Sequence, residues 1–159
     1  MSEQIKSVYL DTTIPSHYYD ERESIQAFIL TTKRWWDTQR IHFDLYTSFF
    51  TITELDQGDY PNKGNILNLL NGIFQLEYYE EIDGIAEVYI KEYVMPRGSF
   101  GDAFHLAMAS YHKIDYLLTW NCNHLANANK DQHIRVTNGK LGLATPKIIT
   151  PLELFNETE

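Results

Sequence analysis

Cysteine occurs once in this chain, at Cys122, and basic residues are outnumbered by acidic ones, 13 against 22. A lone cysteine cannot build an internal disulfide framework or, by itself, a cysteine-rich zinc site, and it suits a reducing compartment. Apolar runs are short. None approaches the ~20 residues needed to cross a bilayer, and the opening MSEQIKSVYLD lacks the apolar core of a secretory signal. Cytoplasmic residence is the expectation. The net charge of −9 opposes a general nucleic-acid-binding role resting on overall positive charge. A polyanionic substrate would need a local basic patch, or metal ions that neutralise clustered carboxylates. Neither GxxxxGK(S/T) nor GxGxxG is present, which removes the usual nucleotide-binding loops.

What is there is ordinary globular material: 159 residues, 43% hydrophobic and 22% charged. This length reads as a single domain over residues 1–159, large enough to bury a core without staples. SVYL at 7–10 is a β-type run that stops at Asp11, and TTIPSHYYD, interrupted by Pro15, reads as a polar loop. Apolar positions between Ser24 and Arg40 follow a helical face. FDLYTS at 43–48 reads as a strand and FFTITELDQG as a helix ending at Gly58. IFQLEYY at 73–79 is strand-like, 82–94 is helical, and Pro96 and Gly98 then break the chain. SFGDAFHLAMASYHK opens with a capping-box pattern, Ser99 and Asp102, and continues as a helix. IDYLLTW at 114–120 is the most strand-like apolar run, followed by an asparagine-rich turn, IRVT, a glycine-containing link, the edge strand PKIIT and a terminal turn at PLELF.

Strands alternating with helices from end to end predict an α/β layer fold with a mainly parallel sheet. Right-handed crossovers then bring the carboxyl ends of the strands to one edge, where ligands of such sheets bind. Asp11 follows the first strand and Asn121 the most hydrophobic one, so both face that crevice if the two strands are neighbours.

Three carboxylates stand out by placement: Asp11 after the first strand, Glu54 early in a short helix, and Asp102 in the first turn of a later helix. Each has a plain structural explanation: an Asx-turn or N-cap for Asp11, a surface helix residue for Glu54, a capping-box acid for Asp102. Brought together, they would repel one another and persist ionised only around cations. Hard oxygen donors with room for waters suit Mg²⁺ or Mn²⁺. Such an ion lowers the pKa of bound water and stabilises the oxygens of a phosphoryl displacement, so the chemistry would be phosphodiester hydrolysis. Asn121 would be a neutral member of this set, binding the metal weakly or orienting a water, and the remaining asparagines of NCNHLANANK would be turn formers.

Rival constellations are weaker. His105 lies three residues after Asp102 and His124 two after Cys122, while His17, His42, His112 and His133 are scattered, and no spacing completes a zinc set. A Cys122 nucleophile with His124 would need a pairing that residues two apart rarely reach. Tyr18–Tyr19 and Trp35–Trp36 could stack unpaired bases or form core.

The order YLDTTIPS, TSFFTITEL, GDAFHLAMA and DYLLTWNCNHLANA resembles the PIN-domain family, especially the VapC-like ribonucleases of bacterial toxin–antitoxin systems, over nearly the whole chain. The resemblance implies a PIN-like three-layer sandwich with a central parallel sheet flanked by helices. It also implies an Mg²⁺- or Mn²⁺-dependent endoribonuclease acting on RNA, with metal-binding acids that map onto Asp11, Glu54 and Asp102. It suggests a homodimer and, as in many members, a small inhibitory antitoxin as partner. One departure stands out: such domains often carry a further acid just after the strand-end threonine, where this chain has Thr119-Trp120-Asn121. With one fewer negative charge the site should hold metal less tightly. The competing reading is a catalytically silent PIN-like module that engages a protein through the aromatic helix around Trp35–Trp36. Arg97, before the Asp102 helix, is the candidate phosphate contact.

Overall fold

The computed structural model describes residues 4–156. Five strands, β1 (Lys6–Leu10), β2 (Phe43–Thr47), β3 (Phe74–Gln75), β4 (Tyr116–Leu118) and β5 (Lys147–Ile149), form one sheet in the order β3-β2-β1-β4-β5, and every pairing is parallel. The helices are α1 (Thr13–Tyr18), α2 (Gln26–Thr38), α3 (Phe49–Gln57), α4 (Lys63–Leu69), α5 (Glu80–Lys91), α6 (Phe100–Tyr111) and α7 (Ala128–Lys140).

The centre of the sheet is built from the two most apolar runs. Val8, Tyr9 and Leu10 of β1 and Leu117 and Leu118 of β4 are fully buried, as strands covered on both faces must be. The pleat sends alternate side chains to opposite faces. Tyr9 and Leu117 join one core with Ile82 and Tyr89 of α5, Leu106 of α6 and Ile134 of α7. Val8, Leu10 and Leu118 join the other with Ile14 of α1, Trp35 and Trp36 of α2, Leu55 of α3 and Ile66 of α4. This is a three-layer α/β sandwich. Each fully buried leucine or isoleucine contributes about 1.5–3 kcal/mol by leaving water, and the two cores clamp the sheet from both sides.

Several local expectations are corrected. The stretch after Asp11 is a helix, α1, not a loop: Pro15 is its third residue, inside the first turn, where a missing N–H goes unused. The strand expected over 73–79 is only Phe74–Gln75. An unanticipated helix, α4, fills the polar segment after Gly58. The asparagine-rich turn leads into a helix, α7, whose start is capped by Asn127 accepting from the Asn129 N–H at 3.0 Å. Ser99 is the N-cap of α6 but makes no side-chain capping bond, so the capping box does not form. Trp35 and Trp36 are both buried, and Trp35 Nε1 donates to the Leu154 carbonyl at 2.9 Å. The aromatic helix is therefore core and offers neither a docking face nor a base-stacking surface at these rings. No helix among the described residues is long and apolar enough to cross a membrane.

Candidate active site

β1 and β4 are neighbours, with Leu10 opposite Leu118, so Asp11 and Thr119 leave the sheet side by side. Asp11 is 2% exposed. Its Oδ1 accepts from the Thr13 N–H at 2.9 Å and the Thr13 hydroxyl at 2.6 Å, and its Oδ2 from the Thr119 hydroxyl at 2.5 Å. Asp11 therefore also anchors the start of α1. Burial raises its pKa above the usual carboxylate range, against the opposing pull of His105 and the threonine bonds. The Thr13 hydroxyl accepts from the Trp120 N–H at 2.8 Å, tying the two strand ends together.

Glu54 arrives from α3, whose N-cap Ser48 follows β2 directly. Oε1 accepts from the Thr12 hydroxyl and from His105 Nε2, the latter at 2.6 Å. Burial alone would raise the Glu54 pKa, but the bond and charge of His105 and the Thr12 hydroxyl outweigh it, and the carboxyl sits below its usual range. The Oε2 atom lies 2.7 Å from where a Cβ on Gly101 would be, so the glycine in the first turn of α6 admits Glu54 to this edge.

Asp102 occupies the first turn of α6. Burial raises its pKa and the charge of Glu54 adds to that, while His105, the Asn121 amide and His124 pull it down. Asp102 and Glu54 thus feel each other across the edge. Asn121 directs its Oδ1 to the N–H groups of Asn123 at 3.2 Å and His124 at 2.9 Å, an Asx-type turn, and leaves its amide beside Asp102. Arg97 is exposed in the turn before α6.

Sequence reasoning weighed His105 only as a zinc ligand, and its role here is different. It is buried on α6, with Nε2 on Glu54 and Nδ1 2.7 Å from the Tyr9 hydroxyl, which in turn lies 2.8 Å from Ser48 Oγ. Burial by itself would lower its pKa, but Tyr9, Glu54 and Asp11 reverse this and raise it to about 10. As an imidazolium it donates from both nitrogens. The available signal was positional: residues 103–110 of α6 are all buried, and a titratable group in such a run needs partners on both sides. Cys122 is exposed and free.

Among the described residues no group of three or more His, Cys, Asp or Glu side chains closes on a point that could hold a metal ion. The donors are nevertheless of the right kind for one class of ion. Mg²⁺ keeps several waters and takes one or two carboxylates plus substrate phosphates in place of a closed protein cage. Asp102 and Glu54, whose charges act on each other, offer donors of that kind, and Glu54 retains Oε2 outside its bonds to His105 and Thr12.

No family model matches the chain, and no curated protein matches it. Solved structures do. Mycobacterium tuberculosis VapC20, described as a sarcin–ricin loop cleaving toxin, is 14% identical with a TM-score of 0.56, covering 74% of this chain and 92% of its own. FitAcB from Neisseria gonorrhoeae is 17% identical with a TM-score of 0.56, covering 92% of this chain and 99% of its own. At these identities the likeness speaks to architecture alone: this chain shares the α/β fold of these two structures.

Proposed function

We propose that the protein is a metal-dependent endoribonuclease that hydrolyses RNA phosphodiester bonds, and that it is the toxin of a type II toxin–antitoxin pair. What supports the reading is that Asp11, Glu54 and Asp102, carried by three separate elements at the carboxyl edge of a parallel sheet, each interact electrostatically with His105. The likeness in fold to a toxin described as cleaving the sarcin–ricin loop supports it. When bound, Mg²⁺ or Mn²⁺ would supply an activated water and charge stabilisation at the phosphate. Asp102, Glu54 and Asp11 are the residues to hold it. Asn121 would orient a water or the Asp102 carboxylate through its amide. His105 holds Glu54 in place and offsets part of the carboxylate repulsion. A small antitoxin and a second copy of the chain are the proposed protein partners.

The test is cleavage of a panel of structured and single-stranded RNAs in Mn²⁺, with and without chelator. Chelator-sensitive cleavage of any member is expected, and its absence from every member overturns the reading. A second reading, a catalytically silent module, draws on the Asn121 oxygen being engaged in a turn and on the open carboxylate arrangement. Calorimetric titration with Mn²⁺ separates the two, because metal binding abolished by Asp102→Asn favours the enzyme.

A further inference from the structure

A cavity of about 420 Å³ lies between the α5–α6 connection and the start of α7, lined by Tyr93, Met95 and Pro96 from the first and Asn123, His124, Asn127 and Lys130 from the second. In a chain with a net charge of −9, it contains two cation-forming side chains, and both act electrostatically on Asp102. Lys130 spends one ammonium hydrogen on the Val94 carbonyl at 2.8 Å, which leaves two of its three donors for a ligand. Asn123 and Asn127 bring amide groups to the same wall.

Tyr93 is the second observation. It is 86% exposed and has φ of 59°, just past the end of α5, where the left-handed conformation ordinarily falls to glycine or asparagine. A tyrosine there bears a steric cost, and it contributes nothing to either core. Its hydroxyl has no hydrogen-bond partner among the described residues. Fold stability does not account for this residue type at this backbone position, whereas an exposed ring at the mouth of a cavity is a stacking surface for an unpaired base.

We propose that this cavity is the subsite for the nucleotide adjoining the cleaved bond of a single-stranded RNA, with Lys130 and His124 contacting its phosphate and Tyr93 stacking on its base. The proposal rests on the ribonuclease reading for the identity of the polymer. It supplies the local basic patch that an acidic protein needs to hold a polyanion. It also gives the asparagine-rich turn a purpose: Asn121 positions the His124 backbone, and Asn127 starts the helix that carries Lys130.

The experiment compares wild type with Tyr93→Gly, Tyr93→Phe and Lys130→Gln. Fluorescence anisotropy measures binding of an unstructured labelled RNA oligomer in chelator at several salt concentrations, and KM and kcat are measured on the same oligomer in Mn²⁺. Tyr93→Gly relieves the backbone and is expected to melt above wild type, yet to bind RNA about tenfold more weakly; Tyr93→Phe keeps wild-type binding. Lys130→Gln is expected to reduce the log Kd against log salt slope by about 0.7, one phosphate contact on a single strand. A Tyr93→Gly protein that melts higher with unchanged Kd and KM, together with an unchanged salt slope for Lys130→Gln, overturns the proposal while leaving cleavage by wild type intact. Absence of cleavage by wild type overturns the ribonuclease reading instead, and the chelator binding series still decides the cavity. No RNA binding by wild type at low salt overturns the subsite outright.

Discussion

Glu54 Oε1 and His105 Nε2 stand 2.6 Å apart, joining α3 to α6 across the carboxyl edge of the sheet, with the Tyr9 hydroxyl of β1 on the far side of the imidazole. As an imidazolium, His105 favours the ionised form of Glu54, Asp11 and Asp102 and so offsets part of what burial and like charge cost them.

Replacing His105 with Gln therefore tests an electrostatic role against simple packing. The folded-state pKa of His105 is raised to about 10 from the ordinary imidazole value of 6.5. Its contribution to stability is thus fully present below pH 6.5 and is lost as pH rises toward 10. In chelator, the His105→Gln protein is expected to melt below wild type, by an equivalent of about 1–3 kcal/mol for the lost charged hydrogen bond. That gap is expected to narrow steadily from pH 6.5 to 10. A gap that stays constant over this range would mean that His105 acts through shape alone.

Gly101 tests the approach of Glu54. A Cβ at this position would stand 2.7 Å from Glu54 Oε2, and the near atom is the end of a flexible side chain, so the carboxylate swings away and the helix survives. Because alanine is favoured over glycine in a helix by about 0.5–1 kcal/mol, the Gly101→Ala protein is expected to melt close to wild type. Misplacing a carboxylate by an ångström costs up to about 100-fold in rate, and RNA cleavage is expected to fall by about 10- to 100-fold. Unchanged cleavage at unchanged stability would show that the Glu54 position does not matter to the chemistry.

Asp102→Asn gives opposite signs for two roles. A capping acid would be missed, but Ser99 makes no side-chain capping bond, and burial together with the charge of Glu54 already raises the Asp102 pKa. In chelator the variant is expected to melt at or above wild type. Wild type gains about 2.7 kcal/mol from Mn²⁺ at one hundred times its Kd, and the variant is expected to gain much less. Lower stability in chelator with a full Mn²⁺ gain would remove Asp102 from the metal site.

The sequence was most informative where chemistry is repetitive. Two short β-type runs, SVYL and DYLL, mark the central strands, because a strand covered on both faces needs apolar side chains on both, and their adjacency brings Asp11 and Asn121 to one edge. It was least informative where tertiary contacts override local preference. Pro15 read as a break, yet a helix tolerates it in the first turn. The helix Ala128–Lys140 buries only Ile134, Thr137 and Asn138, too few apolar positions to show a periodicity, and a polar network anchors it instead: Asn138 joins Tyr89, Ser110 and Thr145. The partners of His105 come from β1 and α3, far away in the chain, so no spacing rule could reveal them.

The resemblance to VapC-like domains implies a further acid after the strand-end threonine, where this chain has Asn121, and Asn121→Asp supplies that charge. The carboxylate can keep the two turn bonds that Asn121 Oδ1 now accepts from Asn123 and His124, so the backbone of the turn should hold. What changes is the group facing Asp102. The Asn121 amide now helps lower the Asp102 pKa, whereas a carboxylate there would repel it, and like charges in one site raise at least one of the two pKa values. In chelator at neutral pH the variant is expected to be less stable than wild type, and to recover as the pH falls and the pair takes up a proton. With Mn²⁺ the order reverses: a further hard oxygen donor tightens the ion, the Mn²⁺-dependent rise in melting temperature grows, and cleavage saturates at lower Mn²⁺. Thermal melts in chelator and across a Mn²⁺ series, with calorimetric titration on both proteins, measure this. A variant that loses stability in chelator but binds Mn²⁺ no more tightly than wild type would place Asn121 outside the metal site and leave its amide with the structural role of steadying Asp102.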